Sequence, residues 1–296
     1  MTKERIRILI AAIATGGLTQ AQQTTDTVLH QLQQLIDAGR FESALVVADT
    51  AVARYATSAL AYKLRGDVHQ HLQEYDQALR DYRSSQELDD QDPRLYVSRS
   101  ALRITEGNLK GAMRDLDKAI ELDPDDPDIW YNRACANYLG QDNNKALRDA
   151  ERALKLREDH ADALFLTGVV KGELYREADG LDDIRKALAL KPDIPGGRMS
   201  AAILLHDLER WREAIDAFTV VIQANGDEEE VRDAYYYRGD CFYNMDQKEQ
   251  ACENWRTSAR MGDNDSIFIV KNYCETDEKK IPKKPVRRRR KTVIQF

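Results

Sequence analysis

The sequence is poor in the residues that break or bend a chain. Of 296 residues, 15 are Gly and 7 are Pro, together roughly 7% where about 12% is average usage. Aromatics are also scarce, at 7%. β-Sandwiches and barrels need frequent turn residues and aromatic strands, so this composition argues against both. The four cysteines show no pair at metal-ligand spacing. There is no nucleophile–base motif, no glycine-rich phosphate loop and no His-Glu-x-x-His. Catalysis would need a site that no motif betrays, and the sequence implies no cofactor. His69 and His71 stand about 200° apart round a helix, so they share no metal. What is present points to helices. Hydrophobic residues make up 42%, enough to bury a core and to argue against disorder. Ala, Leu, Asp, Arg and Gln dominate, and such a chain with few breakers is mostly helical.

Charge is segregated. The formal charge is −7, yet residues 279–296 hold nine Lys or Arg and no acid, and without them 35 basic residues face 51 acidic ones, a net of −16. The N-terminus differs again. Lys3, Arg5 and Arg7 precede the apolar run Ile8 to Ala14, and a small-residue exit follows at Thr19-Gln20-Ala21-Gln22. These features describe a secretory signal peptide over residues 1–21 and a periplasmic or secreted mature protein. The competing reading is an amphipathic first helix. The run is too short to span a bilayer, which needs about 20 apolar residues. No cysteine stands at the cleavage point to carry a lipid anchor. The Ala-Gln-Gln exit resembles that of secreted proteins of Bacteroidota.

The strongest signal is a period. Ala44, Ala78, Ala112 and Ala146 sit in similar phrases (FESALVVA, YDQALRDY, LKGAMRDL, NNKALRDA), each 34 residues from the next. The same step lands on Gly180 and Ala214, and a step of 37 reaches Ala251, with the extra residues expected around 227–230. On that ruler an aromatic recurs at Tyr62, Tyr96, Trp130 and Tyr235. A small residue recurs at Gly66, Ser100, Ala134, Gly168, Ala202 and Gly239, and a large one at Tyr82, Leu116, Phe218 and Trp255. Pro124 and Pro192 close their repeats. The pattern resembles the tetratricopeptide repeat, a 34-residue helix–turn–helix unit. The resemblance covers roughly residues 25–260. It implies an all-α, right-handed α-solenoid of about seven repeats within residues 22–276. They are expected near 25–58, 59–92, 93–126, 127–160, 161–194, 195–228 and 232–262, with a solvating cap at 264–274. Asp92-Pro93, Asp126-Pro127 and Lys191-Pro192 mark turns between repeats, and Gly39, Gly107 and Gly140 turns inside them.

A second pattern rides on the first. The seventh position of a repeat is Arg65, Arg99, Arg133 and Arg238, and sixteen residues on stand Asp81, Asp115, Asp149 and, opposite Arg238, Asn254. Asp183 stands opposite Thr167. The recurrence suggests ion pairs within a repeat or between neighbours; the alternative is that the arginines bind an acidic ligand. In the family, ligands lie along the concave face formed by the first helices. Carried onto this chain, that face includes Lys63, Asp67, Arg94, Tyr131, Asn132, Cys135, Tyr138, Phe165, Val169, Met199, Ile203, Tyr236, Asp240 and Tyr243. The mixture suits a peptide or extended segment better than a bare anion. The alternative is that these side chains only fill the inner helical face. The basic-and-Asn carboxylate clamp of some family members is present only in fragments (Lys63, Arg94, Asn132).

Cys252 and Cys274 are each eleven residues from position 263. Antiparallel helices folded there would bring them level, as a disulfide in an oxidising compartment or as two buried thiols. Cys135 and Cys241 lie three repeats apart. The segment 277–296, with Lys283, Lys284, Arg287, Arg288, Arg289, Arg290 and Lys291, reads as an extended basic tail. It has three candidate partners: anionic membrane or polymer, a protein edge, or the acidic array itself. Nucleic acid is not expected for an exported chain. The resulting expectation is a non-enzymatic protein–protein interaction scaffold that binds a partner segment on the concave face. The alternative is an envelope adaptor acting through its basic tail.

Overall fold

The computed structural model describes residues 27–224 and 226–282. The signal-peptide segment 1–21 and the basic run 283–291 lie outside the described residues. Every regular element among the described residues is a helix. The chain divides into two compact units, Met1–Pro124 and Asp125–Phe296. The first holds α1 (27–37), α2 (Phe41–Arg54), α3 (Ala59–His71), α4 (Tyr75–Leu88), α5 (Pro93–Thr105) and α6 (Leu109–Leu122). The second holds α7 (Pro127–Leu139), α8 (Asn143–Leu156), α9 (Ala161–Glu173), α10 (Glu177–Leu190), α11 (Gly197–Asp207), α12 (Trp211–Ala224), α13 (Glu228–Asn244), α14 (Lys248–Arg260) and α15 (Asn264–Ile269). A π-helical turn, Val270–Cys274, extends α15. Successive helices pair as hairpins, and within each unit every hairpin packs on the next. The alanines of the ruler mark where the two helices of a hairpin meet: Ala44, Ala78, Ala112, Ala146, Ala214 and Ala251 have no exposed surface.

Local chemistry sets the helix ends. Ser58, Asp92, Asn108, Asp126, Asp142, Asp227 and Asp263 each accept a hydrogen bond from a first-turn backbone N–H. Pro93 and Pro127 open α5 and α7, where a missing N–H costs nothing. Seven hairpin turns carry a left-handed residue: Gly39, Gln73, Gly107, Gln141, Tyr175, Glu209 and Asp246. In the fourth, the expected Gly140 has a φ of −72° and its neighbour Gln141 makes the turn. Pro192 starts no helix either; residues 191–196 form a loop, and α11 begins after left-handed Gly196. The extra residues near 227–230 lengthen α13, which starts at Glu228 and runs for 17 residues.

α9 and α10 approach each other closely at two glycines. A Cβ added to Gly168 would lie 2.6 Å from the Gly180 carbonyl oxygen, and one on Gly180 would lie 2.5 Å from the Gly168 oxygen. Backbone meets backbone there, so no rotamer change makes room. Gly168→Ala is therefore expected to lower the unfolding free energy by about 1–3 kcal/mol, although Ala favours an isolated helix by about 1 kcal/mol. Urea denaturation measures it. An unchanged midpoint would mean that the two helices stand further apart.

Candidate partner-binding face

The seventh-position arginines are spent inside the fold. Arg65 donates from Nε and Nη2 to Asp81 at 2.8 and 2.7 Å, and from Nη1 to Asp49 of α2 at 3.1 Å. Arg99 holds Asp115 at 3.0 and 2.8 Å and reaches Gln86 of α4 at 2.6 Å. Arg133 holds Asp149 at 2.9 and 2.8 Å. Arg238 donates to Asn254 at 2.8 Å and to Thr219 of α12 at 2.9 Å. The aromatic three residues earlier lies against each guanidinium, with ring centres 4.8–5.7 Å away at Tyr62, Tyr96, Trp130 and Tyr235. The recurrence thus gives bidentate ion pairs within three hairpins and a single bond to the neutral Asn254 in the last, and Arg65, Arg99 and Arg238 also tie in the preceding hairpin. These fork-shaped contacts leave little guanidinium for an acidic ligand.

A third member of this network lies four residues after the arginine. Arg103 donates to Asp115 at 2.6 Å, Asn137 to Asp149 at 2.8 Å and Lys171 to Asp183 at 2.5 Å. His69 Nε2 lies 3.7 Å from Asp81. These four residues are themselves spaced by 34. That signal stands in the sequence but changes residue type at each step, so a search for one amino acid passes over it. Lys171 also explains the fifth hairpin, where buried Thr167 replaces the arginine and Asp183 is still neutralised.

In the first unit, the face made by α3 and α5 is partly open. Lys63 and Asp67 form an ion pair at 2.8 Å, both half-buried. Tyr82 of α4 reaches them because residue 66 is glycine; a Cβ there would meet the Tyr82 ring at 2.7 Å. The Tyr82 hydroxyl donates to Asp67 at 2.9 Å and sits 2.8 Å from the Gln70 amide oxygen. Burial, then the Asp67 charge, pushes this hydroxyl well above the usual tyrosine range. Arg94 is exposed and, among the described residues, its guanidinium has no ion-pair partner. Val97, Ser98, Ala101 and Ile104 are half-buried along the corresponding positions of α5.

The second unit differs. Tyr138, Phe165, Met199, Tyr236 and Asp240, expected on an open face, are all buried. The Tyr138 hydroxyl donates to Glu173 at 2.8 Å, and Asp240 accepts from His206 Nε2 at 2.8 Å. First helices touch in both units, α3 with α5 as α7 with α9, α9 with α11 and α11 with α13, but here the positions carry large apolar side chains, Tyr138, Phe165, Met199 and Tyr236, that join one core cluster. Tyr131 and Asn132 are half-buried, with Asn132 donating to the Asp128 carbonyl at 2.7 Å. Burial raises the Tyr131 hydroxyl and pushes the Cys135 thiol up to about 12, so neither ionises at neutral pH.

His160 caps α9, its Nδ1 accepting the Ala163 N–H at 3.4 Å. The ring lies 5.0 Å from that of Tyr131, and Nε2 lies 3.1 Å from Asp128. Burial, then the Arg157 charge, lowers its pKa, against the opposing pull of Asp128 and Asp162. The folded state thus prefers the neutral ring that can accept this bond. Its stabilisation is complete above the unfolded value of about 6.5. Below it, the unfolded chain takes up a proton that the folded chain resists, and stability falls by at most about 1.4 kcal/mol per pH unit until the folded pKa is passed. His160→Asn keeps an acceptor without the titration, so its urea midpoint should fall less than the wild type's between neutral and mildly acidic pH. Parallel curves would remove His160 from the pH dependence.

The C-terminal end is fastened at several points. Cys252 of α14 and Cys274 are joined by a disulfide, with Cα atoms 5.6 Å apart. Cys135 and Cys241 are buried thiols. Tyr243 stacks obliquely on Trp255 and edge-on to Tyr273, at 5.8 and 5.4 Å. Among the described residues, no group of His, Cys, Asp or Glu is placed to hold a metal ion, and no helix is long and apolar enough to cross a membrane.

Helix hairpins repeating every 34 residues, each leaning on the next within its unit, define a helical-repeat protein. Family models described as tetratricopeptide repeat match residues 31–93 and 233–257, and one described as TPR repeat matches 103–140. The chain carries tetratricopeptide repeats over these stretches. Solved structures agree in fold. PilF of Pseudomonas aeruginosa is 17% identical with a TM-score of 0.60, covering 69% of this chain and 91% of that one. A tetratricopeptide repeat protein of Parabacteroides merdae is 17% identical with a TM-score of 0.56, covering 83% and 96%. The C-terminal part of a repeat protein of Cytophaga hutchinsonii is 16% identical with a TM-score of 0.60, covering 81% and 98%. No curated protein matches the sequence. Tetratricopeptide repeats in general serve as non-enzymatic scaffolds for protein or peptide partners.

Proposed function

We propose that this chain binds an extended segment of a partner protein on the α3/α5 face of the first unit. The observation that supports this reading is Arg94, exposed on α5 and without an ion-pair partner among the described residues, on the same two helices as the Lys63–Asp67 pair and the half-buried Val97, Ala101 and Ile104. Val97, Ala101 and Ile104 take alternate side chains of the segment, while Arg94 and Lys63 take an acidic group on it. A photo-cross-linking residue at position 97 should capture the partner, whereas one at exposed Arg83 on α4 should not. Lys63→Glu with Arg94→Glu should abolish capture at position 97. Equal capture at both positions would overturn the assignment of the face.

We further propose that the chain is exported and acts in the periplasm or beyond. A disulfide suits an oxidising compartment. The intact mass of the native protein should correspond to a chain beginning at Gln22; a mass that includes Met1 would refute export with cleavage.

A further inference from the structure

After Cys274 the chain turns back over the last hairpin. Lys248, the first residue of α14, donates its ammonium to the carbonyls of Thr276 and Glu278 at 2.9 and 3.0 Å. The same ammonium lies 4.5 Å from the centre of the Tyr273 ring. Further on, the Ile281 N–H donates to the Tyr243 hydroxyl at 3.4 Å, and the Ile281 side chain is 8% exposed within the core cluster of the second unit. Tyr243 stands on α13, the first helix of the last hairpin. A segment bent at 276–277 and 279–280, with two carbonyls on a lysine and one apolar side chain in the core cluster, is held by the groups that hold a bound peptide.

We infer that residues 276–282 are a tethered ligand of the last hairpin, with Ile281 as the anchor. Tethering supplies an effective concentration in the millimolar range, so a contact that is weak between separate molecules still closes within one chain. The inference concerns the second unit and does not depend on the α3/α5 reading.

The test uses the full chain and a fluorescent synthetic peptide of residues 276–282. Ile281→Asp in the protein removes the anchor and vacates its seat. The peptide should then bind this variant at least about tenfold more tightly than it binds the wild type. The same peptide carrying Ile281→Asp should lose that affinity. Equal affinity for the two proteins, or for the two peptides, would overturn the inference. Hydrogen exchange on the wild type gives a check that needs no variant: the Ile281 amide should be protected, and exchange at the free-peptide rate would also overturn it. Dimers by light scattering would show the strap passing between copies, which contradicts a tether in cis.

Discussion

Asp115→Ala is expected to lower the free energy of unfolding by about 3–5 kcal/mol, the usual cost of removing one side of a buried ion pair. The carboxylate is 4% exposed and receives two hydrogen bonds from Arg99 and one, at 2.6 Å, from Arg103. Its removal strands two guanidinium groups between α5 and α6. Arg103 keeps only the Gly111 carbonyl at 3.1 Å, and Arg99 keeps Gln86. Asp115→Asn should cost less, because an amide oxygen still accepts. Replacing Arg99, Arg103 and Asp115 together by apolar residues of similar volume should recover much of the loss, since desolvation then disappears with the charges. Glu87→Ala, at an exposed site on α4, should stay within about 0.5 kcal/mol of the wild type. Urea midpoints for the four proteins decide the matter. A loss no larger than that of Glu87→Ala would mean that water reaches the pair and screens it.

The second large effect should come from the disulfide. Cys252 and Cys274 close a loop of 22 residues, for which the chain-entropy estimate is about 3 kcal/mol. Cys252→Ser with Cys274→Ser should lower stability by that amount. Reductant should move the wild type to the same denaturation midpoint and leave the variant unmoved. Hydrogen exchange should rise over residues 264–282 before it rises over α7 to α10, because α15 then rests on α14 through packing alone. A wild-type midpoint indifferent to reductant would show that the bond does not form in the isolated protein. The inferred tether predicts something separate: loss of Ile281 frees the strap while the disulfide stays closed.

Much of the architecture was legible because hairpin contacts are local. Ala78 and Ala112 lie 34 residues apart and do the same packing, so a period is enough to find them. Arg65 and Asp81 are 16 residues apart and pair within one hairpin; whether they would pair inside a repeat or between repeats was settled only by geometry. The partner-binding face was less legible. Lys63, Asp67 and Arg94 keep accessible surface, whereas Tyr138 and Tyr236, at equally regular positions, do not. The position filled by His69, Arg103, Asn137 and Lys171 went unread because four residue types do one job.

The division follows the range of the forces. The amino-acid order alone determined the helical hairpin and its 34-residue step, since each is a relation between residues no more than one repeat apart. The fate of a first-helix side chain depends on how closely the next hairpin stands. That distance is set by contacts such as that of Leu204 on α11 with the region of Gly180 on α10, and at the last hairpin a strap returning from beyond the cap adds its own cover. Tertiary packing therefore decided which of the regular positions meet solvent, because exposure is a property of neighbours and periodicity reports only the chain's own pattern.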